Sequence, residues 1–243
     1  MNLVVDVGNT RIKYAFFEGG QFLEAKYQAD DLTEDLKKWK SRGVPLHLFL
    51  SGSGQITQEL RMLLQKSADS YTEASAHLKL PLRIGYSTPA TLGFDRIAIC
   101  VGAMALYPGQ PLLVIDSGTC MTFNYVSPDG VFLGGNISPG LEMRFKGLQE
   151  YTAKLPLVAP RMEYGGMGTN TEEAIRNGVM DGMLFEVESY IRRFKQDNGR
   201  GQVVVTGGND CFLKKAFCGD AVFCELLGFI GLNGILSFIK NND

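Results

Sequence analysis

The sequence predicts an α/β fold built from two similar halves, and three observations support this prediction. Residues 3–10 (LVVDVGNT) are echoed about 110 positions later by residues 113–120 (LVIDSGTC). Each segment is an apolar strand that runs into Asp-x-Gly and a small polar residue. Each half also has the order strand, strand, strand, helix, strand, helix. A three-strand meander argues against a doubly wound dinucleotide fold, in which strands alternate with helices. We expect a cleft between the halves that both Asp-x-Gly turns face.

In the first half, residues 2–7, 11–18 and 21–27 form the meander, with a hairpin turn at Gly19-Gly20. Leu32, Leu36 and Trp39 have the spacing of a buried helical stripe that ends near Gly43. The remaining elements are a strand at 46–50 closed by 51–54, a helix carrying Ile56, Leu60, Leu63 and Leu64, a loop at 86–93, and a helix from Asp95-Arg96 to Pro108-Gly109.

The second half repeats this order. The predicted elements are strands at 111–116, 121–126 and 131–133, a Gly-rich segment at 134–140, a helix at 141–151, a long helix after Thr171, a strand at 202–205 and a last helix at about 226–239. We therefore divide the chain into residues 1–110 and 111–243. This division leaves open that the last helix packs back on the first half.

The composition excludes several classes of function. Of the 243 residues 45% are hydrophobic and 21% are charged, and the net charge is −2, so we expect no nucleic-acid partner and no anionic membrane surface. The chain opens on a strand-like segment, and no apolar stretch reaches about 18 residues, so we expect no secretory signal and no membrane span. Five cysteines without C-x-x-C and two histidines do not favour a zinc site. We expect reduced cysteines and a cytoplasmic location.

Asp6 and Asp116 are the first candidates for function. A carboxylate at the end of an apolar strand is costly to desolvate unless it is paired or binds a cation. For Asp6 the functional interpretation is a ligand, direct or through water, of the divalent cation that accompanies a nucleotide. The alternative for one copy alone is a capping Asp in a hairpin, and the second copy at Asp116 favours the functional interpretation.

Small residues follow both carboxylates. Gly8, Asn9 and Thr10 would let the backbone approach a phosphate closely, and Gly118 and Thr119 would do the same in the second half. Neither a P-loop motif nor a G-x-G-x-x-G that opens a helix occurs. Arg11 and Lys13 share a strand face, so one of them could reach a phosphate, although a surface lysine explains the pattern equally well.

The segment Gly93-Phe94-Asp95-Arg96 opens a predicted helix. Asp95 could act as general base for a substrate hydroxyl, while the forked donors of Arg96 bind a carboxylate. A simple capping pair at a helix start is an equal alternative. Thr206-Gly207-Gly208 follows a buried strand, where a glycine pair would let an adenine ring lie against the backbone. A plain β-to-α turn explains those glycines almost as well.

Six motifs, in this order, carry a resemblance to a known family over about residues 2–240. They are Asp6-x-Gly-Asn-Thr-x-x-Lys13, Tyr86 with Gly93-x-Asp-Arg96, Asp116-x-Gly-Thr119, Gly134-Gly-x-Ile-x-Pro-Gly140, Thr171 before a long helix, and Thr206-Gly-Gly208. Each motif is weak alone, but together the chain resembles a type III pantothenate kinase. That family belongs to the actin-like (ribonuclease H-like), sugar-kinase-like ATPase superfamily, which implies a duplicated fold with the nucleotide in the cleft between the halves.

The resemblance implies ATP-dependent phosphorylation of pantothenate to 4′-phosphopantothenate, the first step of coenzyme A synthesis. It implies Asp95 as general base, Mg²⁺ near Asp6, and a monovalent cation, K⁺ or NH₄⁺, at Asp116. It also implies a homodimer. The implied ATP contacts are Asp6, Val7, Gly8, Asn9, Thr10, Arg11, Ile12, Lys13 and Thr119. The implied pantothenate contacts are Tyr86, Gly93, Phe94, Asp95, Arg96 and Thr171.

Three positions depart from the family pattern. Phe94 stands where the family usually has a small residue, and its ring could reshape the pantothenate pocket or pack away from it. Cys120-Met121 replaces a commoner small pair, and Asn124 stands where Asp is frequent. None of these departures removes a proposed catalytic group.

Two other functions are compatible with the sequence. The first is another small-molecule kinase or phosphatase of the same superfamily, although a sugar kinase would be longer and would carry a different acidic motif. The second is a non-catalytic regulator that kept the fold. The net charge of −2 and the presence of Asp6, Asp95 and Asp116 argue against that second function.

Overall fold

A mixed sheet with the same strand order forms the centre of each half of the chain. The computed structural model describes residues 1–8, 11–52, 54–208 and 210–242. It divides into unit 1, comprising Met1–Leu106 and Leu226–Asp243, and unit 2, Tyr107–Glu225. The final helix therefore belongs to the same unit as the N-terminal residues.

Unit 1 contains the elements β1 (Asn2–Val7), β2 (Ile12–Glu18), β3 (Gln21–Lys26), α1 (Leu32–Lys40), β4 (His47–Gly52), α2 (Gln58–Ser67), β5 (Ser70–Glu73), β6 (Arg83–Ile84), a 3₁₀ turn (Pro89–Thr91), α3 (Phe94–Leu106) and the last helix, numbered α7 (Leu227–Asn242). Its sheet has the order β3-β2-β1-β4-β5. The meander β1-β2-β3 is antiparallel, whereas β1, β4 and β5 are parallel.

The two faces of this sheet carry different layers. On one face Val5, Phe16 and Leu50 belong to a hydrophobic cluster with the buried residues of α1 and α2. On the other face the Asn2 side chain donates a 2.8 Å hydrogen bond to the side-chain oxygen of Asn233 in α7. Phe49 contacts Phe94 of α3, with ring centroids 5.6 Å apart. Unit 1 is thus a three-layer α/β/α structure.

Two glycines let α3 and α7 approach closely. A methyl group added at Gly231 would overlap the carbonyl of Ala98, and one added at Gly102 would overlap the carbonyl of Leu227. Backbone contact at this crossing leaves no room for side chains. The start of α3, which carries Asp95, is therefore supported by both a helix crossing and the Phe49–Phe94 contact.

Unit 2 contains β7 (Leu112–Ser117), β8 (Cys120–Val126), β9 (Val131–Pro139), α4 (Leu141–Glu150), α5 (Thr171–Asn198), β10 (Gln202–Thr206), α6 (Asp210–Ala216) and β11 (Val222–Phe223). The strand order β9-β8-β7-β10-β11 repeats that of unit 1, position by position. Its hydrophobic cluster joins one sheet face, including Ile115, Phe123 and Val205, to the buried stripe of α5. These two sheets confirm the predicted duplicated α/β fold.

Several element predictions were incomplete or wrong. The strand predicted to end at residue 133 continues to Pro139, because Gly134 and Gly135 pair with β8 around a register shift at Tyr125/Val126. Three short strands, β5, β6 and β11, and the 3₁₀ turn at Pro89–Thr91 were not predicted, and the helix expected after Gly208 had been given no bounds. β5 and β11 are edge strands of four and two residues, too short to show a period-2 pattern.

No helix in the described residues is both long and apolar enough to cross a membrane.

Candidate functional site

In unit 1 a row of polar side chains crosses three strands at the end of β1. Asp6 lies opposite Lys13 on β2 and beside Ser51 on β4. Residues in register on adjacent strands project to the same side of the sheet. This side carries Asn2 and Phe49, so it is the side covered by α3 and α7.

Burial gives Asp6 an unusual carboxyl group. Desolvation raises the pKa of Asp6 from 3.8 to about 6, the positive charge of Lys13 opposes the rise, and the negative charge of Asp95 adds to it. The influence of Asp95 means that the start of α3 brings a second carboxylate to the end of β1. The structure therefore brings together Asp6 and Lys13, which belong to the first motif, with Asp95, which belongs to the second.

The turn after β1 is packed backbone against backbone. The Gly8 N–H donates to the Arg11 carbonyl at 3.0 Å, and the Gly54 N–H donates to the Val7 carbonyl at 2.9 Å. A methyl group at Gly54 would overlap the Gly8 carbonyl. The Val7 and Ile12 side chains pack with the hydrophobic cluster of unit 1, so only their backbone is available to a nucleotide.

Arg11 and Lys13, the charged residues among the predicted ATP contacts, differ in their exposure. The Arg11 side chain is exposed and that of Lys13 is half-buried. Asn9 and Thr10 lie outside the described residues.

Asp95 lies in the first turn of α3. Its Oδ1 accepts a 2.8 Å hydrogen bond from the Arg96 backbone N–H. A side chain at Gly93, two positions before Asp95, would overlap this carboxylate in its present position, so glycine leaves that space to Asp95. Of the two possibilities for Phe94, its contact with Phe49 of β4 favours packing against the sheet.

Arg96 and Tyr86 form the second part of the predicted substrate site in unit 1. Arg96 is only 6% exposed. Its guanidinium carbon lies 6.0 Å from the centre of the Tyr86 ring, within the range of a cation–π interaction. A buried guanidinium held beside an aromatic ring can bind a carboxylate with little loss of side-chain freedom.

Unit 2 presents a comparable row at the end of β7. Asp116 lies opposite Thr122 on β8 and beside Thr206 on β10, and both threonines are buried. Gly207 has φ +109°, and a methyl group there would overlap the Ser117 carbonyl and crowd the Asp116 carboxylate. Thr206-Gly207-Gly208 thus lies against the second Asp-x-Gly turn.

A hydrogen-bonded arginine supports the turn that contains the exposed Thr119. The Gly140 N–H donates to the Thr119 carbonyl at 3.1 Å. The Arg144 guanidinium donates to the Pro139 carbonyl at 2.8 Å and to Ser138 Oγ at 2.7 Å, and it pairs with Glu186 of α5. The end of β9 is therefore tied to α4 and α5.

Thr171 is the exposed first residue of α5. The preceding Asn170 caps the helix by accepting from the Glu173 N–H at 3.0 Å, and Glu173 accepts from the N–H and hydroxyl of Thr169. This reciprocal capping fixes the start of the helix. Thr171 and the Asp116 row both belong to unit 2, whereas Asp95, Arg96 and Tyr86 belong to unit 1.

The departures in β8 have structural explanations. Asn124 is fully buried and its amide donates to the Val114 carbonyl at 3.1 Å and to Thr122 Oγ1 at 3.0 Å. A carboxylate could not donate these bonds. Met121 is also fully buried, in the hydrophobic cluster of unit 2. Asn124 therefore holds Thr122 beside Asp116.

The oxygen atoms at Asp6 and at Asp116 are ligands of the kind that hard cations bind. Among the described residues no group of three or more His, Cys, Asp or Glu side chains could hold a metal ion by itself. Asp6 is a half-buried carboxylate next to a second carboxylate, an arrangement that a divalent cation stabilises. Asp116 is flanked by two hydroxyls, which are oxygen ligands of the kind that hard cations prefer.

Sequence reasoning missed two residues of these sites, Ser51 and Arg144. Ser51 stands where the strand parallel to β1 ends. The signal available was its place before the glycines of the 51–54 segment. Arg144 follows the Pro139-Gly140 motif on the first turn of α4, and nothing in its spacing distinguishes it from a surface arginine.

Comparisons with known proteins show which family this chain resembles in sequence. The sequence model of the family described as type III pantothenate kinase matches residues 2–193. A type III pantothenate kinase of Cytophaga hutchinsonii is 37% identical over 240 residues, covering 98% of this chain and 99% of that protein. A type III pantothenate kinase of Phocaeicola vulgatus is 37% identical over 242 residues, covering 98% of each chain.

Solved structures resemble the fold at low sequence identity. A Campylobacter jejuni protein described as a candidate Baf family transcriptional activator has a TM-score of 0.64 and 20% identity, covering 98% of this chain and 99% of that one. The activator of 2-hydroxyisocaproyl-CoA dehydratase from Clostridium difficile, with bound ADPNP, has a TM-score of 0.56 and 12% identity, covering 99% and 96%. Together with the two sheets, these likenesses show that the chain shares the duplicated α/β fold of these two proteins.

Replacing Asp6 by Asn should change stability in a pH-dependent way. The folded state binds the Asp6 proton more tightly than the unfolded chain, so ionisation destabilises the fold as pH rises from about 4 to about 6. Without nucleotide or Mg²⁺, Asp6→Asn should therefore be more stable than the wild type at pH 7.5, by up to about 3 kcal/mol. This advantage should shrink at pH 4.5. Thermal and urea unfolding at both pH values measures the effect.

The exposed carboxylate of Asp30 offers a control for this comparison. Asp30→Asn should show no comparable dependence on pH. An Asp6→Asn protein that is less stable than the wild type at pH 7.5 would contradict the destabilising role of the Asp6 charge.

Proposed function

Since the chain belongs to the type III pantothenate kinase family, we propose that it transfers the γ-phosphoryl group of ATP to pantothenate, giving 4′-phosphopantothenate, with Asp95 as the general base. The observation that most supports this proposal is the convergence of Asp6, Lys13 and Asp95 at one end of the unit 1 sheet. Phosphoryl transfer depends mainly on positioning and on neutralising charge. This group of charges serves both purposes.

Asp95 is suited to accept the proton of the attacking hydroxyl. The Arg96 N–H holds one of its oxygens at 2.8 Å, and Gly93 keeps the space before it clear. The helix start beneath the carboxylate is fixed by the packing of Phe94 on Phe49. A base held in this way removes the proton without first having to be oriented.

We place the phosphates of ATP at the turn after β1. The Gly8 turn admits close backbone approach, and Lys13 adds a positive charge beside Asp6. A divalent cation, Mg²⁺ in this proposal, would supply charge neutralisation at the phosphates. Asp6 would hold it directly or through water, since Mg²⁺ commonly keeps several waters and few carboxylate ligands.

We assign recognition of pantothenate to Arg96 and Tyr86, with Gly93, Phe94 and Thr171 as further contacts. The buried Arg96 guanidinium would bind the carboxylate of the substrate through two parallel hydrogen bonds. The Tyr86 ring keeps this guanidinium in place. Thr171 would contribute its hydroxyl from the capped start of α5.

At Asp116 we propose a monovalent cation, K⁺ or NH₄⁺. One carboxylate flanked by the buried Thr122 and Thr206 offers oxygen ligands with a single negative charge. That charge matches a monovalent ion. The exposed Thr119, held through Gly140, would contact ATP.

We also propose that the protein forms a homodimer, and α5 carries the feature that supports this. Gly178 and Gly182 lie one turn apart in its interior, where each glycine weakens the helix by about 1 kcal/mol. Apart from the adjoining residues and the nearby backbone of α5 itself, no described atom lies within 4 Å of the methyl group that either could carry. On the same stretch the Phe185 side chain is 66% exposed. A closely packed helix of a second copy would account for both.

We infer that the reaction takes place in the cytoplasm. Cys100, Cys120, Cys218 and Cys224 are free thiols. Unpaired cysteines are typical of reducing compartments.

Release of ADP in the presence of ATP, Mg²⁺ and K⁺ tests the proposed reaction. The wild type should release ADP with pantothenate as acceptor and not with sugars. Asp95→Asn should lower kcat by about 100-fold or more while ATP binding is kept, because only the proton acceptor is lost. Mass spectrometry of the product identifies 4′-phosphopantothenate.

Different results would reject different parts of this proposal. Turnover of sugars without turnover of pantothenate would reject the acceptor. Near-normal kcat in Asp95→Asn would reject Asp95 as the base and leave the acceptor unaffected.

The cation at Asp116 has its own test. Asp116→Ala should raise the K⁺ concentration needed for half-maximal activity by about tenfold or more, since even an indirect ligand contact is commonly worth that factor. Asp197→Ala, which removes a carboxylate at the exposed end of α5, serves as the control. A K⁺ titration of Asp116→Ala that matches the wild type would locate the cation elsewhere.

A further inference from the structure

Ser51 is a buried hydroxyl without an evident role in the fold. Ser51 is 1% exposed, and its Oγ has no hydrogen-bond partner among the described residues. Leaving a buried hydroxyl unpaired costs about 1–3 kcal/mol, so native structures usually provide a protein atom, a water or an ion. A partner that arrives with a ligand would explain this hydroxyl.

Ser51 lies beside the carboxylate of the unit 1 site. Ser51 is the register neighbour of Asp6 on the parallel strand, so both side chains project to the same side of the sheet. Two residues earlier on this face, Phe49 supports Phe94, the residue before Asp95. The hydroxyl therefore lies next to Asp6 on the strand that supports the start of α3.

The glycines after Ser51 also belong to this site. The Gly54 N–H donates to the Val7 carbonyl, and Gly54 packs on the Gly8 carbonyl of the proposed phosphate turn. Gly52 lies against Val7 in the same way. The end of β4 is thus built into the turn after β1.

Ser117 provides an informative contrast. Its hydroxyl is also fully buried and has no partner among the described residues. However, Ser117 lies opposite Met121, whose side chain belongs to the hydrophobic cluster of unit 2. Ser117 therefore projects to the side of the sheet away from Asp116. Within residues 1–8, 11–52, 54–208 and 210–242, only Ser51 combines a buried, unpaired hydroxyl with a neighbouring carboxylate.

We propose that Ser51 is a further positioning residue of the kinase site, whose hydroxyl holds a water of the hydrated divalent cation beside Asp6. This inference rests on the proposed binding of Mg²⁺ and nucleotide at Asp6. Mg²⁺ retains several of its waters in protein sites, and each needs hydrogen-bond partners. A buried hydroxyl on the neighbouring strand supplies one such partner and is itself satisfied by the same contact.

The test measures nucleotide binding with and without the metal. Calorimetry gives the Kd of a non-hydrolysable ATP analogue in Mg²⁺ and in EDTA, and the ratio of the two is the gain due to Mg²⁺. Ser51→Ala should reduce this gain by about tenfold, as expected for one lost hydrogen bond in a charged site. Its Kd in EDTA should equal that of the wild type. Ser51→Cys, with a weak S–H donor, should show a gain due to Mg²⁺ that lies between those of Ser51→Ala and the wild type.

Thermal unfolding separates this role from a structural one. Because the hydroxyl has no partner in the part of the chain that the structure describes, Ser51→Ala without ligand should unfold at the wild-type temperature or above it. A structural hydroxyl would make the variant less stable. Ser67→Ala is the matched control: it removes a hydroxyl of unit 1 that donates to the Leu63 carbonyl at 2.8 Å, and it should keep the full Mg²⁺ gain.

The outcomes distinguish this inference from the proposed function. A wild type whose nucleotide binding does not improve with Mg²⁺ would overturn both. A normal gain in the wild type that persists in Ser51→Ala would overturn the role of Ser51 alone. Equal weakening of Ser51→Ala in Mg²⁺ and in EDTA would show that the hydroxyl contacts the nucleotide instead of a metal-bound water, which also overturns the proposal.

Discussion

The partial desolvation of the Asp6 carboxylate at the end of β1 is the constraint on which the rest of the site depends. A carboxylate in this position destabilises the folded protein when it is ionised, and Asp95 at the start of α3 increases that effect. Lys13 offsets only part of it. The protein thus keeps two carboxyl groups close together where phosphates are proposed to bind, an arrangement that an added cation would stabilise. In the proposed reaction, charge neutralisation and phosphate binding would be coupled in one place.

The duplicated fold places different chemistry at equivalent positions. In unit 1 the row across the sheet is Lys13, Asp6 and Ser51, and in unit 2 it is Thr122, Asp116 and Thr206. The strand order is the same, so the difference lies in the side chains alone. A lysine and a second carboxylate suit a phosphate with its divalent ion. Two buried hydroxyls around one carboxylate suit a more weakly charged ion.

Much of the fold follows from patterns that can be recognised in the sequence. Asp6 and Asp116 could be identified because each ends a long apolar strand, and the two meanders could be identified from turns such as Gly19-Gly20. The extension of β9 could not, because Gly134-Gly135 has the composition of a turn and only pairing with β8 makes it a strand. Short edge strands such as β11 depend on tertiary contacts and have no periodicity of their own.

The site was less predictable than the fold for a related reason. Asp95 was recognised as a candidate, but its proximity to Asp6 depends on how α3 packs against the sheet. Ser51 becomes notable only when the parallel pairing of β4 with β1 places it beside Asp6. Arg144 acts on the Thr119 turn through Pro139 and Gly140, a chain of contacts that no local pattern contains.

Cation binding is expected to compensate the partly desolvated charge of Asp6. Proton release during binding of Mg²⁺ and ADP tests it most directly. Calorimetry in buffers of different ionisation enthalpy gives the number of protons released, after correction for those of the nucleotide itself. Because the pKa of Asp6 is about 6 without ligand, binding at pH 6 should release about half a proton from the protein, and at pH 8 almost none. No excess release at pH 6, or release that is independent of pH, would contradict the claim.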